Sequence, residues 1–147
     1  MGDDGAGPAV IETLRRQALP QNVELLDGGT AGLVLLDLMA DAERVILVDA
    51  VGMGVAPGTV RRFTLDQVAL AEHSALSLHQ TGLAEVLLLG REMDMLPPSL
   101  VVFGIQPERV ERRMELSAPV AGGVGRAVVL IREEIAQDVG QRGKISE

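Results

Sequence analysis

Helices alternating with strands predict an α/β protein, a three-layer α/β/α sandwich around a parallel sheet. Two runs carry the sheet. Val45-Ile46-Leu47-Val48-Asp49-Ala50 and Leu100-Val101-Val102-Phe103-Gly104-Ile105 are continuously apolar rather than alternating, the pattern of strands covered on both faces. The covering layer shows most plainly from Ala118 to Gln137, where Val120, Val124, Ala127, Val128, Ile131 and Ile135 share one helical face. At 147 residues, 47% of them hydrophobic, the chain is long enough for one domain with a sizeable core and too apolar for general disorder.

In chain order, Asp3 and Asp4 stand before Gly5-Ala6-Gly7-Pro8, and a helix follows in which Val10, Ile11 and Leu14 face one way. One acid there suits a cap; two exceed what a cap needs. Pro20 stops the helix, and Val23 to Asp27 reads as a short strand running into Gly28-Gly29-Thr30. Thr30 is a candidate N-cap for a helix from Ala31 to Ala40, with Leu33, Leu35, Leu36, Met39 and Ala40 as its apolar stripe. After the strand ending at Ala50, Pro57-Gly58 signals a turn, and Thr59 to Thr64 reads as an edge or antiparallel strand. Leu65 to His73 is expected to be a loop with a short helical piece. Ser77 and Gln80 have capping-box spacing, so a helix is expected from there to about Gly90, with His79 in its first turn. Pro97-Pro98 separates it from the second buried strand. Gly122-Gly123 is expected to weaken the start of the last helix, and residues 138–147 to form a frayed polar tail.

Composition removes several function classes. A formal charge of −8 leaves no basic face for phosphate, and with Phe63 and Phe103 as the only aromatics there is no platform for base stacking, so no nucleic-acid partner is expected. The chain has no cysteine, which excludes disulfides, thiolate metal sites and a thiol nucleophile. No apolar run is long enough for membrane insertion and Met1-Gly2-Asp3-Asp4 does not open a signal peptide, so a cytoplasmic location is expected. Gly52-Met53-Gly54 lacks the third glycine of a dinucleotide fingerprint.

The chemistry centres on Asp49, which emerges at the carboxyl end of a buried strand, the rim where ligands bind in open α/β sheets. With Asp4 and His79 it forms a candidate oxygen and nitrogen ligand set for a divalent ion such as nickel or zinc. Each has a plainer explanation alone: Asp4 as a cap, Asp49 as a strand-end turn former, His79 as a surface residue on a first helical turn. His73 competes with His79 as a ligand.

The combination is more specific than its parts. Gly2-Asp3-Asp4-Gly5-Ala6-Gly7, Asp27-Gly28-Gly29-Thr30, Val48-Asp49-Ala50-Val51, Pro57-Gly58-Thr59, Ser77-Leu78-His79-Gln80 and Gly104-Ile105-Gln106-Pro107 occur in one order. Together, from Gly2 to about Ile135, they resemble the hydrogenase maturation endopeptidases, which remove a C-terminal extension from the large subunit of nickel-iron hydrogenase. The resemblance implies a twisted, mostly parallel sheet of about five strands. It also implies an aspartic-type or metal-dependent endopeptidase that recognises nickel already inserted in its partner, the large-subunit precursor. Carried over by motif, Asp4, Asp49 and His79 are the catalytic, metal-contacting residues, and Asp27, Gly28, Gly29 and Thr30 line the substrate cleft. His73 has no counterpart in the family's pattern. The family's pattern opens with a strand ending in Gly-x-Gly-Asn directly before Asp-Asp-Gly. Here Met1 stands instead, so the first strand is expected to be missing, through truncation or an upstream start, leaving two sheet edges uncovered. Two other readings fit the same residues: a metal-dependent hydrolase with its own ion, and a non-catalytic α/β binding module.

Overall fold

Alternation along two strands sorts the core into two layers. In β2 (Arg44–Ala50), Ile46 and Val48 point into one apolar cluster and Val45 and Leu47 into another; in β4 (Ser99–Ile105), Val101, Phe103 and Ile105 oppose Leu100 and Val102 in the same way. These positions are all buried, which is why both strands read as unbroken apolar runs. The computed structural model describes residues 5–26, 34–70, 83–108, 116–137 and 143–146. Its remaining elements are α1 (Ala6–Arg15), β1 (Val23–Leu26), α2 (Val34–Met39), β3 (Val60–Thr64), α3 (Leu65–Leu70), α4 (Leu83–Glu92), α5 (Ala118–Ala136) and β5 (Gly143–Ser146).

The five strands lie in the order β1-β5-β2-β4-β3, parallel except for β3, which runs antiparallel to β4 at the edge. Val10, Ile11 and Leu14 of α1 and Val120, Val124, Ala127, Val128 and Ile131 of α5 belong to one cluster, and Leu35, Leu36 and Met39 of α2 with Leu83, Val86 and Leu87 of α4 to the other. Each fully buried side chain of this size contributes roughly 1.5–3 kcal/mol relative to exposure. The sandwich therefore has the predicted three layers, and the antiparallel edge strand falls where Thr59 to Thr64 suggested.

Two expectations change. The tail is not frayed throughout: β5 enters the sheet between β1 and β2, in register from Val23↔Gly143 to Leu26↔Ser146 on one side and from Arg44↔Gly143 to Leu47↔Ser146 on the other. It fills the place beside β2 for which the sequence offered no strand, because backbone pairing on both sides compensates for a weak side-chain pattern. The short helical piece expected after Thr64 is present as α3 at the start of that stretch. Thr64 N–H donates to Gln67 Oε1 at 2.8 Å and Gln67 N–H to Thr64 Oγ1 at 3.4 Å, a capping box that starts α3. Finally, Gly122-Gly123 does not open the start of α5. A Cβ on Gly123 would lie 2.6 Å from the Gly58 carbonyl oxygen, so the glycine permits close approach of a loop. The proposed caps at Thr30 and Ser77 lie outside the described residues.

Candidate active site at the carboxyl rim of the sheet

The ends of the helices can be placed by contacts at the opposite rim. Glu134, near the end of α5, pairs with Arg44, the first residue of β2, and Arg132 bonds to Gln17 just after α1. The C-termini of α1 and α5 therefore lie at the amino rim of the sheet, and their N-termini point toward the carboxyl rim. For α4 the same follows from connectivity, since its C-terminal end leads through residues 93–98 into the start of β4. The carboxyl rim thus gathers the end of β2, the end of β4 and the N-termini of three helices, with their partial positive charge.

Asp49 sits at this rim as the penultimate residue of β2 and is 9% exposed. By alternation it lies on the face of Val45 and Leu47, toward α2 and α4. Its Oδ1 accepts the Ala50 N–H at 2.9 Å. Burying a carboxylate costs several kcal/mol unless bonded partners answer it. Opposite Asp49 in the ladder is Gly104, where a Cβ would come within 2.9 Å of Val51 Cγ2 and 3.1 Å of Phe63 Cε2. The glycine lets the chain after Asp49 turn tightly across β4.

That turn is held by Gln106, a residue of the Gly104-Ile105-Gln106-Pro107 motif whose sequence context suggests no role. Its Oε1 accepts the Met53 N–H at 2.6 Å, and its Nε2 donates to the Pro107 carbonyl at 3.1 Å. Its backbone closes the far end of the same loop: Gly58 N–H donates to the Gln106 carbonyl at 2.8 Å and Gln106 N–H to the Thr59 carbonyl at 2.9 Å. One residue thus fixes both ends of the segment between Asp49 and β3. Arg126 of α5 completes the brace by donating from Nη2 to the Gly58 carbonyl at 2.6 Å. Gly58 has φ +84°, and a Cβ there would collide with the Pro119 carbonyl. A glutamine directly after a buried strand was the available signal.

Of the sequence-predicted site residues, the structure describes Asp49. Asp4, Asp27, Gly28, Gly29, Thr30, His73 and His79 lie outside the described residues. Asp4 directly precedes Gly5, the N-cap of α1, and residues 71–82, His79 among them, lead into α4. The described elements that follow Asp4 and His79 in the chain therefore start at the rim that holds Asp49. Among the described residues there is no group of three or more histidines or acids able to hold a metal ion. Among them, too, no helix is long and apolar enough to cross a membrane.

A second buried charge cluster lies at the amino rim. Arg44 and Arg62 both donate to the Glu134 carboxylate, Arg62 Nε at 2.6 Å. Burial alone would raise the pKa of Glu134. The hydrogen bond and charge of Arg62, with the charge and hydrogen bond of Arg44, outweigh that and hold it below the ordinary value.

Residues 8–134 match the family model of the hydrogenase maturation protease HycI. The chain belongs to the hydrogenase maturation protease family. HupD of Rhodobacter capsulatus, a hydrogenase expression/formation protein, is 34% identical over 170 residues, covering 99% of this chain and 81% of that protein. HupD of Thiocapsa roseopersicina is 39% identical over 111 residues; there the match covers 74% of this chain and half of the relative. Among solved structures, the hydrogenase maturating endopeptidase HybD of E. coli superposes with a TM-score of 0.80 at 33% identity, covering 93% of this chain and 86% of that one. The family match includes Asp49, Gln106 and His79 and begins after Asp4.

Proposed function

We propose that this chain is an endopeptidase that removes the C-terminal extension of the nickel-iron hydrogenase large-subunit precursor once nickel has been inserted. The observation that carries this reading is the Asp49 carboxylate, held at 9% exposure at the end of an inner parallel strand, on a rim toward which three helix N-termini point. Membership of a family in which one solved structure is the hydrogenase maturating endopeptidase HybD of E. coli supports the reaction class.

In this reading nickel arrives as part of the substrate. Asp4, Asp49 and His79 approach it, and the loop Asp27-Gly28-Gly29-Thr30 borders the substrate tail. Engagement of the metal fixes the scissile amide relative to the Asp49 carboxylate, which gives the orientation on which the rate depends. Hydrolysis adds the water oxygen to the carbonyl carbon and delivers a proton to the departing amide nitrogen, and a rim carboxylate is suited to carry that proton. Cleavage then waits for the metal, because the unloaded precursor lacks the group that seats it.

The test incubates the chain with nickel-loaded and nickel-free precursor. Processing of the loaded form alone is expected, and equal cleavage of both overturns metal gating. Asp49→Asn and His79→Ala should each lower processing roughly a thousandfold, and full activity in either variant removes that residue from the site. Elemental analysis of the purified protein should find no stoichiometric metal; a tightly held ion favours a hydrolase with its own metal instead.

A further inference from the structure

The strand register aligns an acid, a glycine and an arginine across the sheet. Asp49 of β2 pairs with Gly104 of β4, and Gly104 with Arg61 of β3, so the three form one row at the carboxyl rim. Residues paired in this way project to the same side of a sheet. The row two residues below fixes which side: Leu47, Val102 and Phe63 pair in the same manner, and all pack in the cluster under α2 and α4. Arg61 and Asp49 therefore stand on one face, two strand spacings or about 10 Å apart, with a residue that has no side chain between them. Apolar atoms floor the gap, since Val51 Cγ2 and Phe63 Cε2 lie 2.9 and 3.1 Å from where a Gly104 Cβ would be. The two arginines of β3 are used differently. Arg62, on the opposite face, bonds to Glu134, whereas Arg61 is exposed and pairs with no carboxylate among the described residues. A charge that only guarded an edge strand could stand at any exposed position along it. Arg61 stands in the row of the buried acid.

We propose that Arg61 is a specificity residue of the peptidase, binding the carboxylate of an aspartate or glutamate side chain of the substrate about three residues from the bond that is cut. The inference rests on the protease reading of Asp49. An extended chain advances about 3.3 Å per residue, so roughly three residues span the distance from Asp49 to Arg61. The segment crosses the ends of β2, β4 and β3 over Val51 and Phe63, with the scissile amide at Asp49 and the acid at Arg61. A guanidinium presents a planar fork that meets a carboxylate through two parallel hydrogen bonds, and it stays charged at any working pH. A substrate whose acid stands at another spacing leaves one end of the row unmatched, and that difference is the selection.

The test uses the full chain and the nickel-loaded large-subunit precursor, once mass spectrometry of the released tail has fixed the cleaved bond. Each Asp or Glu within about four residues of that bond is replaced in turn by Asn or Gln. Every precursor is then processed by the wild type, Arg61→Gln and Arg61→Lys. Arg61→Gln should raise KM about tenfold with kcat nearly unchanged, the loss expected for one charge-assisted hydrogen bond, and Arg61→Lys should recover most of it. One acid-to-amide change in the precursor should cost the wild type the same factor of about ten and cost Arg61→Gln nothing further. Added salt should raise KM more steeply for the wild type than for Arg61→Gln, a response that a purely structural role does not give. A processed precursor with no acid in that window, an unchanged KM in Arg61→Gln, or losses that multiply at every tail position overturns the inference alone. If the wild type processes no precursor, the protease reading fails and the inference with it.

Discussion

The two rims of the sheet are built differently around their buried charge. At the amino rim the Arg44 and Glu134 side chains, 8% and 11% exposed, bond directly to each other, and Arg62 adds a second guanidinium to the same carboxylate. At the carboxyl rim Asp49 is equally buried, its Oδ1 accepts the N–H of the next residue, and Gln106 and Arg126 brace the loop that follows. A closed ion cluster ties β2, β3 and α5 together. The carboxyl rim instead sets its carboxylate just before a loop held by Gln106 and Arg126.

Substitutions should separate the rims. Asp49→Asn keeps its volume and an oxygen for the Ala50 N–H, so its stability cost should stay below that of Glu134→Ala. Precursor processing should fall roughly a thousandfold, within the range for a positioned acid or base. Thermal unfolding and a processing assay on the same preparation check both. Glu134→Ala should do the reverse, costing about 3 kcal/mol by removing the carboxylate that answers buried Arg44. Processing per folded molecule should stay unchanged; if it falls with stability, the rims are coupled.

Gln106→Ala sharpens the comparison from within the carboxyl rim. Loss of the acceptor for the Met53 N–H should cost about 1–2 kcal/mol in denaturant unfolding. It should also lower kcat more than it raises KM if the loop positions Asp49. Gln106→Glu retains an oxygen toward Met53 and should lose less of both.

The smallest effect is in pH. Because the folded-state pKa of Glu134 lies below its ordinary value of 4.5, its ion pairs contribute stability that is fully present above that value. That stability is lost as the pH falls through 4.5 and on through the depressed folded value. The melting temperatures of the wild type and Glu134→Gln should therefore converge on acidification. A constant gap over that window would show that the cluster acts through packing rather than charge.

Much of this was legible because burial on both faces leaves a plain mark. β2, β4 and α5 were readable from their apolar residues alone, and the edge position of β3 from the charged Arg61 and Arg62 within it. The capping box at Thr64 and Gln67 was equally readable and was passed over in favour of the same spacing at Ser77 and Gln80. The burial of Asp49 at a strand end was readable from an acid closing an apolar run. Gln106 was quoted within a motif but not recognised as a clamp, because its role depends on a loop fifty residues away in sequence closing onto it.

What the sequence determined by itself was the set of local periodicities: which segments are buried on two faces, which on one, and which acid ends a strand. Only the tertiary structure decided that Gly143–Ser146 is an inner strand, that Gly58 and Gly123 must be small so that a loop and a helix can touch, and that Glu134 answers Arg44. The physical reason is the range of the interactions. Side-chain patterning is written into neighbouring residues, whereas backbone pairing, close approach and charge neutralisation depend on partners that the fold brings together.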